Sequence, residues 1–180
     1  MNKIIAIVGM CGSGKSIASD YLETLGYKKV YFGGVTLEKL KEKGLEITPE
    51  NEKMMREKLR EDLGMGAFAK ILLPRIKEFS KKENVVLDGL YSWDEYKIIS
   101  EELGNELKVI AIITDKKLRY KRLEQREVRP LTKKEAIMRD LAEIENIAKA
   151  PPIAYADYYV LNNGTMDEYK ERLNKILKEL

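Results

Sequence analysis

The chain has 180 residues, 44% hydrophobic and 35% charged, with a net charge of +3. That length suits one domain with a sizeable core, and charges that nearly cancel give no support for a nucleic-acid partner. The absence of histidine and the single cysteine exclude histidine-based catalysis, an internal disulfide and a zinc cluster. No apolar run is long enough to span a bilayer. With the lone thiol and no signal-peptide layout, the expectation is a cytoplasmic protein without a membrane partner, a monomer or a homodimer.

The first predicted element is a buried strand, Ile4–Val8. It runs into Gly9-Met10-Cys11-Gly12-Ser13-Gly14-Lys15-Ser16, which fits G-x-x-x-x-G-K-[ST], and then into a helix over 16–25. Strand, glycine turn and helix in that order mark a phosphate-binding loop. Glycines let several N–H groups converge on phosphate oxygens, and the helix turns its positive end to the same point. Lys15 can then reach the β- and γ-phosphates, and the Ser16 hydroxyl can ligate Mg²⁺. Gly9, Gly12, Ser13, Gly14, Lys15, Ser16 and Ile17 are the expected ATP contacts; Cys11 reads as a filler position of the loop.

Further strands are expected at Lys28–Phe32, Val85–Asp88, Val109–Ile113 and Tyr158–Leu161. Most lack period-2 alternation, which suits strands buried on both faces of a parallel sheet, and helical patterns separate them. Thr48-Pro49 offers an N-cap. Ser92/Glu95, Thr132/Glu135 and Thr165/Glu168 read as capping boxes. Pro74 falls inside the run 67–79 and is expected to kink or divide that helix. Two apolar stripes, Met166/Tyr169/Leu173/Ile176/Leu180 and Ile137/Leu141/Ile144/Ala148, are expected to be packing surfaces. The long excursions after the second and fourth strands exceed a single crossover. They are natural places for a substrate arm, about 34–80, and a lid, about 124–150.

Asp88 ends an apolar strand, where a parallel sheet presents its ligand crevice. There it can hold Mg²⁺ directly or through water, or orient an attacking oxygen. Arg119, Arg122, Arg126 and Arg129 are spaced three, four and three apart, so on one helix ended by Pro130 they would share a face; Arg139 adds a fifth guanidinium. Guanidinium forks suit phosphate oxygens. Arg122 and Arg126 are expected to neutralise the transferring charge and Arg129 to hold the donor. The alternative is a solvated basic face paired with Glu124 and Glu127. Arg56 and Arg60, one turn apart, with Arg139 are candidate acceptor contacts, though surface charge explains the first two equally well. Thr36 reads as an acceptor contact or an N-cap.

On these residues the chain resembles the P-loop nucleotide kinases of the adenylate kinase-like group, over nearly its whole length. Val85-Val86-Leu87-Asp88-Gly89 is similar to their L-D-G motif. Ala156-Asp157-Tyr158-Tyr159-Val160-Leu161-Asn162-Asn163-Gly164-Thr165 is similar to the A-D-x-x-I-x-N-x-G-[ST] ending of dephospho-coenzyme A kinases. Val128-Arg129-Pro130-Leu131-Thr132, Arg139-Asp140 and Ala142-Glu143-Ile144-Glu145-Asn146 point to the archaeal-type adenylate kinase-related or dephospho-coenzyme A kinase-like proteins. Two departures set the acceptor site apart from a standard adenylate kinase. Leu90-Tyr91-Ser92-Trp93 lacks the proline and arginine that follow L-D-G, and Gly33-Gly34-Val35-Thr36 lacks the aspartate and arginine found there in related kinases.

The expected fold is a three-layer α/β P-loop NTPase fold: one domain, 1–180, with a five-stranded parallel sheet ordered 2-3-1-4-5 and the arm and lid as insertions. The expected activity is ATP- and Mg²⁺-dependent phosphorylation of a small nucleotide-like acceptor, of the nucleoside monophosphate kinase type. The alternatives are a dephospho-coenzyme A kinase and a regulatory ATP-binding or ATPase module without an acceptor. A GTPase is disfavoured, because Asn2-Lys3 and Asn174-Lys175 lack the aspartate of N-K-x-D.

Overall fold

The computed structural model describes residues 2–180. Five strands form one all-parallel sheet: β1 (Ile4–Val8), β2 (Lys28–Tyr31), β3 (Val85–Asp88), β4 (Leu107–Ile113) and β5 (Tyr158–Leu161). Their order is β2-β3-β1-β4-β5. Ile4 stands between Val85 and Leu107, and the register holds along the strands. The central strands are the sequence's continuous apolar runs, and β1 and β3 are buried throughout. The edge strands β2 and β5 bury only some of their side chains.

Helices cover both faces. Ile5 and Ile7 with Val86, Ile110 and Ile112 pack on α1 (Lys15–Thr24) and α9 (Met166–Glu179). Ile4, Ala6 and Val8 with Leu87, Val109 and Ala111 pack on α2 (Gly34–Glu42), α3 (Pro49–Leu63), α4 (Ala67–Ser80) and α5 (Trp93–Leu103). This is the three-layer arrangement that the apolar runs and helical spacers imply. Because every strand is parallel, Val8, Asp88 and Ile113 all end at one edge, and the loops that leave it share a crevice.

Between β4 and β5 lie α6 (Lys116–Gln125), α7 (Lys133–Glu145) and the short α8 (Ala150–Ala154); the stretch expected as a lid, about 124–150, covers the end of α6, the loop after it and α7. All three capping boxes form, and Thr48 accepts from the Asn51 N–H at the start of α3.

The structure differs from expectation in three places. Pro74 does not divide its helix: α4 runs from Ala67 to Ser80. Pro74 and Lys70 are exposed, so the Lys70 carbonyl that proline leaves without a donor faces water, while Phe68, Leu72 and Ile76 anchor the opposite face. The stripe of α7 is not core. Ile137, Leu141 and Ile144 are 36–45% exposed, and the buried positions of that helix are Ala136, Asp140 and Glu143. Finally, the arginine run does not occupy one helix. Helix α6 ends at Gln125, Arg126 is already extended, and Arg129 has φ +54°. Only Arg119 and Arg122 lie on it.

Candidate active site

The loop between β1 and α1 closes over itself because glycines stand where side chains cannot. Gly9 has φ +146°, and a Cβ there would lie 2.6 Å from the Ile112 carbonyl oxygen. At Gly14, φ +98°, a Cβ would strike the Asn162 amide. The loop's carbonyls are anchored on the scaffold. Cys11 O accepts from Arg119 Nη1 (2.8 Å), and Gly14 O from the Tyr169 hydroxyl (2.9 Å). Ser13 O accepts from Asn162 Nδ2 (2.8 Å) and Thr114 Oγ1 (3.0 Å). In a trans peptide the N–H points opposite to the carbonyl. The amides of Gly12, Gly14 and Lys15 therefore turn away from those anchors, into the concavity of the loop.

Lys15 is buried in that concavity. Its Nζ donates to Met10 O at 2.9 Å, and it makes no ion pair among the described residues. Burial, and next the neighbouring Lys149, depress its pKa to about 7. The buried Ser13 Oγ has no hydrogen-bond partner. A ring of amides, an under-compensated buried ammonium and an orphaned hydroxyl together fit a polyphosphate.

Ser16 is exposed in the first turn of α1. Asp88 is buried at the end of β3, 3.5 Å from Lys29, which also pairs with Asp20. Among the described residues no three acidic or thiol groups cluster as a metal site. A cation held by Ser16 and Asp88 would draw its other ligands from phosphate and water, the usual habit of Mg²⁺.

The arginines expected to form a phosphate-facing row are each engaged with protein groups. Arg119 makes a two-pronged buried pair with Asp140 (3.0 and 2.6 Å), which the Tyr120 hydroxyl joins at 3.0 Å. Arg122 donates to Asn162 O (3.0 Å) and Thr114 Oγ1 (3.4 Å), so it lies against the phosphate loop's own supports. The Arg126 Nε donates to Arg129 O. Arg129 pairs with Glu52 of α3 at 2.7 Å, which joins the segment after α6 to α3. Arg139 pairs with Glu143 at 2.9 Å.

In the arm region, Arg56 also pairs with Glu52 (3.3 Å). Arg60 lies over the Phe68 ring, 5.4 Å from its centroid, and its Nε is buried without a partner. Thr36 is 2% exposed and its hydroxyl has no partner. Gly33, not Thr36, caps α2, which removes the N-cap reading of Thr36.

Sequence reasoning missed four groups that shape this crevice: Glu52, Asp140, Glu143 and Lys149. Glu143 accepts from Lys149 at 2.6 Å. Burial opposes the Glu143 charge, but Lys149 and Arg139 outweigh it and hold the carboxyl below its ordinary range. Asp140 and Glu143 lie three apart on α7, the spacing of one helix face. That pair of acids was the available signal, and the neighbouring apolar stripe obscured it.

Fold and loop together define a protein with the three-layer P-loop fold. A family model described as an AAA domain matches residues 5–150. UPF0200 proteins match nearly end to end. That of Sulfurisphaera tokodaii is 35% identical over 99% of this chain and 97% of its own length; that of Thermococcus onnurineus is 32% identical over 98% and 97%. The chain belongs to this AAA-domain family and to the UPF0200 proteins. Among solved structures, TT1252 from Thermus thermophilus superposes with a TM-score of 0.68 at 18% identity, covering 99% of this chain and 98% of that one. Shikimate kinase from Acinetobacter baumannii, in complex with shikimate, gives 0.60 at 19% (99% and 95% covered). A gluconokinase from Sinorhizobium meliloti gives 0.61 at 15% (98% and 93%). At such identities the likeness is one of fold.

Proposed function

We propose that the protein transfers the γ-phosphoryl group of ATP to a small nucleotide-like acceptor bound between the arm and the lid. One observation carries the reading: the amide-lined loop holds a buried lysine and an orphaned serine hydroxyl, Lys15 and Ser13, with no protein anion to satisfy them. The loop amides and Lys15 bind the donor phosphates. Ser16 and Asp88 hold Mg²⁺, which when bound neutralises charge on the phosphates. Arg122 lies beside the loop and stabilises the moving group. Arg126 and Arg129 belong to the segment that closes over it and excludes water.

An acceptor is favoured over a bare ATPase by the arm region. The Thr36 hydroxyl and the Arg60 Nε are buried without partners, and a buried unpaired donor costs about 1–3 kcal/mol unless something satisfies it. A bound acceptor supplies that partner, with Arg56 and Arg139 at its margin. The adenylate kinase-like L-D-G motif and the dephospho-coenzyme A kinase-like ending support a nucleotide-like acceptor, with the ribose 3′-hydroxyl of dephospho-coenzyme A as the second candidate. The single thiol, Cys11, suits a reducing cytoplasm.

The test is calorimetry of ATP with Mg²⁺, followed by coupled assays over nucleotide acceptors. ATP should bind, and turnover should rise with one acceptor class. Lys15→Ala should abolish transfer while leaving the circular dichroism unchanged. Normal transfer by that variant, or ATP turnover that no acceptor raises, would overturn the kinase reading.

A further inference from the structure

Lys149 lies between α7 and α8 and is 4% exposed. Ala148 before it has φ +48°, a left-handed backbone that is strained for a non-glycine residue. The turn is fixed by the Lys149 N–H, which donates to Glu143 O at 3.1 Å. It sends the Lys149 ammonium 4.6 Å above the Tyr91 ring. Tyr91 lies just past Asp88, at the crevice edge of the sheet. The turn after α7 thus holds a buried lysine over Tyr91, near enough for its charge to act on Lys15 of the phosphate loop.

The local charges do not balance. Lys149 and Arg139 both pair with one carboxylate, Glu143, whose charge also acts on Lys15, as does that of Asp88. Asp88 lies 3.5 Å from Lys29, which it shares with Asp20, so even with these three carboxylates counted the four cations exceed the anions by one. A turn that needed only an internal ion pair would not set a second buried ammonium within electrostatic reach of the first, because like charges in a desolvated site raise its energy. An anion between them removes that penalty. The cluster opens to solvent at the Arg139 side, where that side chain is 57% exposed.

Resting on the phosphotransferase reading above, we propose that Lys149, with Arg139, forms a subsite for an oxyanion of the acceptor, a phosphate or a carboxylate, next to the donor's terminal phosphate. Glu143 holds both cations in place. Arg139 supplies the fork and Lys149 the point charge.

The experiment titrates inorganic phosphate, and separately acetate, into protein saturated with Mg²⁺ and the non-hydrolysable analogue AMP-PNP, read by calorimetry. Phosphate should bind at one site, and acetate should compete if the subsite takes carboxylates. Lys149→Met should weaken phosphate at least tenfold and Lys149→Arg less than threefold. AMP-PNP affinity should stay within threefold in both. In the unmutated protein, the ¹³Cε resonance of Lys149 should shift along the phosphate titration, a readout that needs no variant to fold. Phosphate binding that ignores Lys149→Met, no phosphate binding to the AMP-PNP complex, or equal loss of AMP-PNP affinity would overturn the subsite and leave the kinase reading standing. Failure of AMP-PNP itself to bind would overturn both.

Discussion

Lys15 concentrates the chemistry of the site in one titration. Burial lowers its pKa to about 7, with Lys149 acting in the same direction and Cys11, Glu143 and Asp88 opposing. Its unfolded value is near 10.5. Below pH 7 both states carry the proton, and the folded state bears the full penalty of a buried charge. As pH rises from 7 towards 10.5 the folded lysine is neutral while the unfolded one is charged, so stability rises across that window. Denaturant unfolding at pH 6.5 and 9.5 should show the unmutated chain gaining about 1 kcal/mol or more over Lys15→Met. A phosphate in the loop restores the lysine's charge, so ATP binding should take up a proton near pH 8 and weaken as pH climbs. Calorimetry in buffers of different ionisation enthalpy reads that uptake, and a buffer-independent heat would contradict it. The loop was legible because its signal is local: eight consecutive residues fix turn, amides and lysine together. The partners of Arg119, Arg129 and Lys149 were not, since Asp140, Glu52 and Glu143 reach them through tertiary contacts that no spacing announces.

At the scale of elements, periodicity reports that a helix is amphipathic but not which face meets the core. Helices α7 and α9 carry similar stripes, yet Leu173 of α9 is wholly buried while Leu141 of α7 is 45% exposed. On α7 the inward face is charged: Asp140 meets Arg119, and Glu143 meets Arg139 and Lys149. The apolar face lines an open groove of about 500 Å³ with Tyr120, Ile153 and Tyr159. Leu173→Ala should therefore cost about 2–4 kcal/mol, and Leu141→Ala less than about 1 kcal/mol. Comparable losses in urea unfolding would place the α7 stripe in the core after all. The Arg119–Asp140 pair is the opposite case, polar and sequestered. Arg119 also holds the Cys11 carbonyl, so one guanidinium ties α6, α7 and the phosphate loop. Asp140→Asn leaves that buried charge uncompensated and should cost about 3–5 kcal/mol. A loss under 1 kcal/mol would mean that water reaches the pair.

For the whole molecule, the parallel sheet and its helical layers followed from five apolar runs and the helices between them, whereas the strand order was an expectation that came with the resemblance to P-loop kinases. What lay beyond reach was how the arm and lid regions meet. Glu52 and Arg129 are far apart in sequence, and neither sits in a pattern that distinguishes it from the surrounding surface charge. Their ion pair, with Arg56 at the same carboxylate, joins α3 to the segment between α6 and α7. Hydrogen bonding from Arg129 holds the Glu52 pKa below its ordinary value. A depressed carboxylate contributes fully above that value and is lost as pH falls through its folded pKa, so the link persists at neutral pH and opens in acid. Arg129 is 59% exposed on its side chain, and an ion pair open to water contributes at most about 1 kcal/mol to stability. The link should therefore matter to motion more than to folding. In Glu52→Gln the unfolding free energy should change by less than about 1 kcal/mol, while amide exchange over residues 126–132 quickens several-fold and that of β1 and β3 is unchanged. Exchange over 126–132 that does not quicken would mean that the pairing of Arg126 with the Arg129 carbonyl holds the segment without the arm; quickening throughout the sheet would mean that Glu52 supports the fold itself.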